Sequence, residues 1–302
     1  MAGHATVAIE IRGLTKFYGR SRGVEDVSLT LERGEVLGFL GPNGSGKTTV
    51  LRVLVGLISP TSGEVLVDGH PLFDDPRGWR ERVGYLPGEL GLYSNTSVID
   101  YLQLLARLRG VDCSAEIRRL SERIGLRLDA RIAGLSKGNK QKVGVVQALM
   151  HRPGVLVLDE PTSGLDPIAQ EEFALILDER RSDGAAVILS SHVLQEVENV
   201  ADRVVILDLG RVLAVDTVDS LRRRIDTEIH FTFDHPVSLD TYRSCPGVVE
   251  VSGDTTDLAI RATVPHTELL RRAAADGAVK VVSHEPTLAD VFLSLTRNNR
   301  DS

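Results

Sequence analysis

Cysteine is scarce in this chain of 302 residues, and long apolar runs are absent. Its two cysteines, Cys113 and Cys245, lie far apart in no spacing typical of a metal site, so we expect two free thiols in a reducing compartment. No apolar run approaches the ~18 residues that a membrane-spanning helix needs. Residues 1–10 have neither the basic start nor the apolar core of a signal peptide. We therefore expect a cytosolic protein that cannot move a solute across a membrane by itself.

An excess of positive charge is also absent. The net charge is −7, which disfavours a nucleic-acid partner because binding to phosphates needs a basic face. Hydrophobic residues make up 42% and charged residues 25%, a composition typical of a globular protein rather than a disordered one. The length is sufficient for one large domain and a small one.

Apolar periodicity predicts an α/β fold. Residues 7–14 and 24–31 alternate like strands of an antiparallel sheet, and residues 98–128 have a helical period. Three short apolar segments alternate with helical patterns, at residues 155–158, 186–189 and 204–207. Such a pattern indicates a mostly parallel sheet that is covered on both faces.

A second, smaller domain is predicted after the pattern changes near residues 221–226. The elements that follow have the order β-α-β-β-α-β, which is that of a ferredoxin-like α+β domain. We therefore assign residues 7–222 to one domain and residues 227–297 to the other.

A glycine-rich segment between a predicted strand and a predicted helix fits the pattern of a phosphate-binding loop (P-loop). It consists of Gly41, Pro42, Asn43, Gly44, Ser45, Gly46, Lys47, Thr48 and Thr49. Backbone N–H groups and the helix dipole at such a loop attract phosphate. We expect Lys47 to reach the β- and γ-phosphates of ATP and the Thr48 hydroxyl to bind Mg²⁺. The alternative, a chance glycine-rich turn, is disfavoured by the strand–loop–helix context.

Two adjacent carboxylates, Asp159 and Glu160, follow the apolar residues 155–158. Burial of such charges is unfavourable unless a ligand compensates them. A Mg²⁺ ion bound at Thr48 would do so, with Asp159 holding the metal or its water and Glu160 orienting the attacking water. The alternative is a helix N-cap with an acidic first turn, but the upstream P-loop favours the catalytic interpretation.

Further motifs resemble those of the ATP-binding cassette (ABC) ATPases, in matching order over residues 7–220. The segment Leu-Ser-Lys-Gly-Asn-Lys-Gln at 135–141 resembles the signature motif, and Pro-Thr-Ser-Gly-Leu-Asp at 161–166 resembles the D-loop. His192 resembles the switch histidine, and Tyr18 matches the aromatic residue that stacks on adenine. Taken singly, His192 is more typical of a surface histidine and Tyr18 of an aromatic residue in the core. The whole series of motifs in this order favours the ABC interpretation.

The resemblance implies an ABC cassette with a mostly parallel sheet core, an antiparallel β subdomain and a helical subdomain. It also implies a head-to-tail dimer, with itself or with a paralogous ABC subunit, that encloses two ATP molecules. Ser136 and Gly138 would contact the γ-phosphate of the ATP bound by the partner, although Ser136 also suits a simple helix N-cap. Asp166 and His192 would lie at the same interface, and His192, as the switch histidine, would be a catalytic residue together with Glu160.

Two parts of the chain depart from the family's pattern. The signature, commonly Leu-Ser-Gly-Gly-Gln, has Lys137 and Asn139 at its third and fifth positions. Gly88 stands where the family usually has a glutamine that bridges Mg²⁺ and the membrane partner, and Glu89 follows one place later. We therefore expect the contacts of this loop to differ from those usual in the family.

Residues 135–166 and 284–296 are similar to the ATPases of bacterial ABC-2-type exporters for drugs, antibiotics or toxins. In that group the permease is a separate integral-membrane chain, so we expect ATP hydrolysis at the cytoplasmic face of the membrane to power efflux of drug-like or other hydrophobic substrates. One alternative is an importer ATPase, but the helices predicted at 266–275 and 288–295 disfavour its all-β C-terminal domain. The other is a soluble single-cassette ABC ATPase with a role in assembly.

Overall fold

The computed structural model describes residues 7–93, 95–263 and 266–300. Residues 1–6, part of the segment in which the sequence shows no signal pattern, lie outside this set. The chain divides into two compact units, with the boundary between Val215 and Asp216. Among the described residues, no helix combines the length and the apolarity needed to cross a bilayer.

The first unit alternates strands and helices. In chain order its elements are β1 (Val7–Tyr18), β2 (Ser21–Glu32), β3 (Val36–Leu40), α1 (Lys47–Leu54), β4 (Ser62–Val67), β5 (His70–Pro71), α2 (Pro76–Arg82), β6 (Val83–Leu86), α3 (Val98–Leu108), α4 (Ser114–Arg123), α5 (Lys137–Leu149), β7 (Val155–Asp159), α6 (Pro167–Ser182), β8 (Ala186–Ser191), α7 (Leu194–Val200), β9 (Arg203–Asp208) and β10 (Arg211–Thr217). The sequence analysis did not predict β5, α2 or β10.

A six-stranded sheet with the order β10-β9-β3-β8-β7-β6 forms the centre of this unit. Its pairs from β9 through β3, β8 and β7 to β6 are parallel. Every residue of β3, β7 and β8 is buried, which explains their continuous apolar sequences. Because the strands are parallel, the segments that follow β3, β7 and β8 meet at one edge of the sheet.

A second sheet, with the order β2-β1-β4-β5, is antiparallel. Strands β1 and β2 pair Ile9 with Leu31 and Ile11 with Leu29, and these side chains pack in one core with α1 and the central sheet. Both strands extend beyond the predicted residues 7–14 and 24–31. The additional residues of β1 are paired but mostly half-buried or exposed, so their apolar pattern is weak.

The second unit is an α+β domain. Its elements are α8 (Val218–Arg222), β11 (Thr227–Phe233), α9 (Leu239–Arg243), β12 (Val248–Gly253), β13 (Asp257–Ala262), α10 (Thr267–Ala275), β14 (Ala278–His284) and α11 (Leu288–Arg300). The sheet is antiparallel with the order β12-β13-β11-β14, which is the ferredoxin-like arrangement. Its core contains Phe231, Phe233 and Tyr242. The sequence placed the start of this domain at residue 227, whereas the compact unit already includes α8.

Candidate functional site

A cleft of about 350 Å³ opens at the edge of the central sheet where β3 and β7 end. It is lined by residues 43–49 of the P-loop together with Tyr18, Arg22, Gly23, Gly88, Asp159 and Glu160. Parallel pairing of β3, β8 and β7 brings these segments together although they are distant in sequence. The carboxyl edge of a parallel sheet is where ligands of α/β proteins bind.

The P-loop wraps the start of α1. Gly46 is the N-cap of that helix and has φ 107°, a conformation that favours glycine. The Lys47 Nζ donates to the Gly41 carbonyl at 2.6 Å and to the Pro42 carbonyl at 3.2 Å, so the ammonium group is folded onto its own loop. Burial lowers the pKa of Lys47, while the nearby charges of Glu160 and Asp159 act in the opposite direction. The loop thus presents a buried cation and a helix N-terminus, both suited to phosphate.

Asp159 lies at the end of β7 and is 3% exposed. The Thr48 hydroxyl donates to its Oδ2 at 2.9 Å, and the Ser190 hydroxyl donates to its Oδ1 at 2.5 Å. A hydroxyl and a carboxylate are ligands suited to a hard divalent cation. No group of three or more acidic, histidine or cysteine side chains suited to a metal occurs in the part of the chain that the structure describes.

Glu160 and His192 are in direct contact. The His192 Nδ1 lies 2.6 Å from the Glu160 Oε2, and the histidine side chain is 59% exposed against 22% for the glutamate. The alternative that the two adjacent carboxylates cap a helix is wrong, because α6 begins at Pro167 and its N-cap is Asp166. The glutamate is thus placed at the cleft with a histidine beside it.

Tyr18 is not a core residue: 46% of it is exposed, and it borders the cleft. Its ring packs against Gly23, where an added Cβ would lie 2.9 Å from a ring carbon. The Lys16 Nζ lies 5.5 Å from the ring centroid. An aromatic ring beside a phosphate-binding loop can stack on a nucleotide base.

Three residues assigned from the sequence, Ser136, Gly138 and Asp166, are absent from the lining of this cleft. Ser136 is the N-cap of α5 and accepts a hydrogen bond from the Asn139 N–H at 3.3 Å. Asp166 accepts from the Lys142 Nζ at 2.9 Å, and this hydrogen bond lowers the pKa of Asp166. These residues therefore form a second group, separate from the P-loop of their own chain.

The sequence analysis missed residues that tie α5 to the end of β7. The Gln141 Nε2 donates to the backbone carbonyls of Glu160 and Pro161, each at 3.0 Å. Lys142 makes the bond to Asp166 described above. Residues 141 and 142 follow residue 138 by three and four positions, so a helix that begins after Ser136 places all three on one face. This spacing was the signal in the sequence that could have identified Gln141 and Lys142 as residues of the site.

Glu196, on α7, was also missed. It accepts hydrogen bonds from the hydroxyls of Thr162 and Ser191, the latter at 3.0 Å. Thr162 belongs to the segment after Glu160, and Ser191 directly precedes His192. Glu196 therefore joins the two loops that carry the glutamate and the histidine.

Gly88 faces the Asp159 carboxylate. A Cβ at this position would lie 3.3 Å from Asp159 Oδ2, and both Gly88 and Glu89 are exposed. The space beside the carboxylate is thus free of any side chain from position 88.

Comparison with known proteins identifies the family. The family model described as ABC transporter matches residues 24–163. The ABC transporter ATP-binding protein NatA of Bacillus subtilis (strain 168) is 38% identical over 206 residues, which cover 66% of this chain and 84% of NatA. The chain belongs to the ABC transporter family. This ABC subunit is accordingly an ATPase that binds ATP.

The similarity extends over both units of the ABC subunit. The linearmycin resistance ATP-binding protein LnrL of Bacillus subtilis (strain 168) is 31% identical over 310 residues, covering 97% of this chain and all of LnrL (100%). A solved structure of an ATP-binding subunit of an ABC transporter has a TM-score of 0.66 at 35% identity and covers 72% of this chain and 92% of its own. The family resemblance and the cassette fold predicted from the sequence are confirmed.

Proposed function

We propose that this ABC ATPase binds Mg²⁺-ATP in the cleft and hydrolyses it with Glu160 as the residue that orients the attacking water. The observation that carries this proposal is the convergence of Lys47, Thr48, Asp159 and Glu160 at one edge of the sheet, with His192 on the glutamate. Tyr18 stacks on the adenine ring.

The roles follow from the geometry. Residues 43–49 hold the phosphates through backbone N–H groups, and Lys47 transfers its hydrogen bonds from the carbonyls of Gly41 and Pro42 to the β- and γ-phosphates. Glu160 accepts a hydrogen bond from the water, and His192 holds that carboxylate in place. Catalysis then depends on positioning and charge rather than on a covalent intermediate.

Thr48 and Asp159 would hold the Mg²⁺ ion. When bound, the ion neutralises charge on the phosphates. Its fit is supported by the Thr48 hydroxyl and the Asp159 carboxylate, two oxygen ligands that already meet at 2.9 Å. Gly88, which faces the Asp159 carboxylate, has no side chain that could bind the ion, so Thr48 and Asp159 would be the side chains that hold it.

The catalytic state is a head-to-tail dimer, formed with a second copy or a paralogous cassette. Ser136, Gly138 and Asp166 do not line their own cleft, which supports their use in the cleft of the partner. Ser136 lies at the N-terminus of α5, where the helix dipole favours a γ-phosphate.

The cycle powers export by an integral-membrane permease on a separate chain, with the ATPase bound at the cytoplasmic face of the membrane. LnrL, a relative that is matched over its whole length, is named for resistance to linearmycin, which supports efflux of drug-like or other hydrophobic compounds. The α+β second unit differs from the all-β domain expected of an importer ATPase.

Two variants test the ATPase proposal. Lys47→Ala should weaken binding of a fluorescent ATP analogue, because the loop loses its cation. Glu160→Gln should bind the analogue like the wild type but release phosphate about 10²- to 10⁴-fold more slowly, the order expected on loss of a group that activates water. Hydrolysis by Glu160→Gln at the wild-type rate would show that Glu160 does not have this role.

A further inference from the structure

The backbone of Glu160 is in an unusual conformation. Its φ is 50°, in the left-handed region that residues with a Cβ rarely adopt. Such conformations persist only where the surrounding structure holds them, and they are concentrated at functional sites.

Two buried side chains on different elements bind the polar groups of the Glu160 backbone. Its N–H donates to the Ser190 carbonyl at 3.1 Å and lies 3.2 Å from the Ser190 Oγ. Its carbonyl accepts from the Gln141 Nε2 at 3.0 Å, and the same amide nitrogen bonds the Pro161 carbonyl. Ser190 is 0% exposed and Gln141 is 5% exposed, so water does not replace these bonds.

We propose that Gln141 and Ser190 are positioning residues that hold Glu160 in its left-handed conformation and thereby place its carboxylate at His192 and the cleft. Ser190 also donates to Asp159, so one hydroxyl fixes both members of the acidic pair. This inference rests on the proposed function, because it takes Glu160 as the group that orients water.

The chemistry at Gln141 is specific. Its amide nitrogen carries two N–H donors, and two backbone carbonyls lie within reach of it. Leucine has a similar size but no donor, so both carbonyls would lose a partner. An ionised glutamate would place negative charge against two carbonyl oxygens, whereas a protonated one would restore a single donor.

The chain offers a matched control on the same helix. Gln147, also on α5, accepts a hydrogen bond from the Tyr101 hydroxyl at 2.8 Å, whereas the hydrogen bonds from α5 to the carbonyls of Glu160 and Pro161 come from Gln141. The change Gln147→Leu therefore removes the same amide from the same helix without touching Glu160.

The first experiment compares kcat, nucleotide affinity and thermal stability of the full chain. Gln141→Leu should lower kcat about 10- to 100-fold, the order of effect of displacing a catalytic group, with the affinity for a fluorescent ATP analogue unchanged. Gln147→Leu should keep the wild-type kcat. Equal kcat values for Gln141→Leu and wild type, in a preparation where Glu160→Gln is inactive, would overturn the positioning role while leaving the proposed function intact. If Glu160→Gln hydrolysed ATP like the wild type, the proposed function itself would be wrong.

The second experiment holds even if Gln141→Leu does not fold. Gln141→Glu is measured from pH 8 to pH 5, and its kcat is divided by that of the wild type at each pH. The ratio should rise as the pH falls, because protonation of the new carboxyl removes the repulsion and restores one donor. A ratio that stays constant across this range would contradict the proposal, since a general loss of stability would not be relieved by acid.

Discussion

At the scale of single residues, the site depends on a close approach between two backbones. Gly138, in the first turn of α5, lies against Gly164, and a Cβ at position 138 would overlap the Gly164 carbonyl oxygen. Gly134, four residues earlier, has open space around it and nothing within 4 Å of the same added atom. The sequence marked Gly138 as part of a motif, and the structure supplies a packing reason for it in addition to the proposed phosphate contact.

Alanine at these two glycines should therefore have different effects. Gly138→Ala should lower the free energy of unfolding by about 1–3 kcal/mol, the usual result of forcing an atom into a packed site. Gly134→Ala should change it by less than about 0.5 kcal/mol. Urea titration followed by fluorescence checks this, because the single tryptophan, Trp79, is buried in the first unit. Equal stability of the two variants would show that the Gly138–Gly164 contact is not close in solution.

At the scale of elements, continuous apolar runs made β7, β8 and β9 predictable, and the P-loop pattern located the start of α1. The start of β1 at Val7 was predicted, but its C-terminal end was not, because residues 15–18 are held by pairing rather than by burial. The hydrogen bond from Gln141 to the Glu160 carbonyl was not predicted, for another reason. It joins two segments whose relative placement depends on the packing of α5, and sequence alone does not give that placement. The roles of the individual site residues stay predictions.

His151, just after α5, makes the packing of this helix sensitive to pH. Its Nε2 lies 3.3 Å from the Val83 carbonyl of β6, and burial, with the charge of Arg109 acting in the same direction, lowers its pKa from 6.5 to about 4. Between pH 6.5 and about pH 4, His151 therefore binds a proton in the unfolded chain but not in the folded chain. Stability is retained above pH 6.5 and is lost as the pH falls towards 4.

Replacing this histidine should remove that part of the pH dependence. Between pH 7 and pH 5, His151→Gln should lose less stability than the wild type, by at most about 1.4 kcal/mol per pH unit. The midpoints of urea unfolding, followed by Trp79 fluorescence, give the comparison. The control is His70→Gln, which changes an exposed histidine of β5 and should show the same pH dependence as the wild type. If His151→Gln and the wild type lost stability in parallel, His151 would not remain neutral in the folded state.

At the scale of the whole molecule, the described chain presents a P-loop cleft and a separate group, Ser136, Gly138 and Asp166, which we propose contacts the ATP in the cleft of another cassette. Under this proposal each chain would contribute to two sites, and each site would need a partner chain to be complete. Ligands that bind only the paired state shift the equilibrium towards it. ATP should therefore drive dimer formation whenever hydrolysis is prevented.

The most direct test is light scattering of the Glu160→Gln protein with and without Mg²⁺-ATP. We expect a monomer without nucleotide and a dimer with it, because ATP that is not hydrolysed stays between the two cassettes. Adding Ser136→Arg should abolish the dimer, since the arginine side chain would enter the γ-phosphate position. The control Ser182→Arg, at the exposed end of α6, should leave the dimer intact. An ATP-dependent dimer that persisted unchanged with Ser136→Arg, or the absence of any ATP-dependent dimer, would contradict the account.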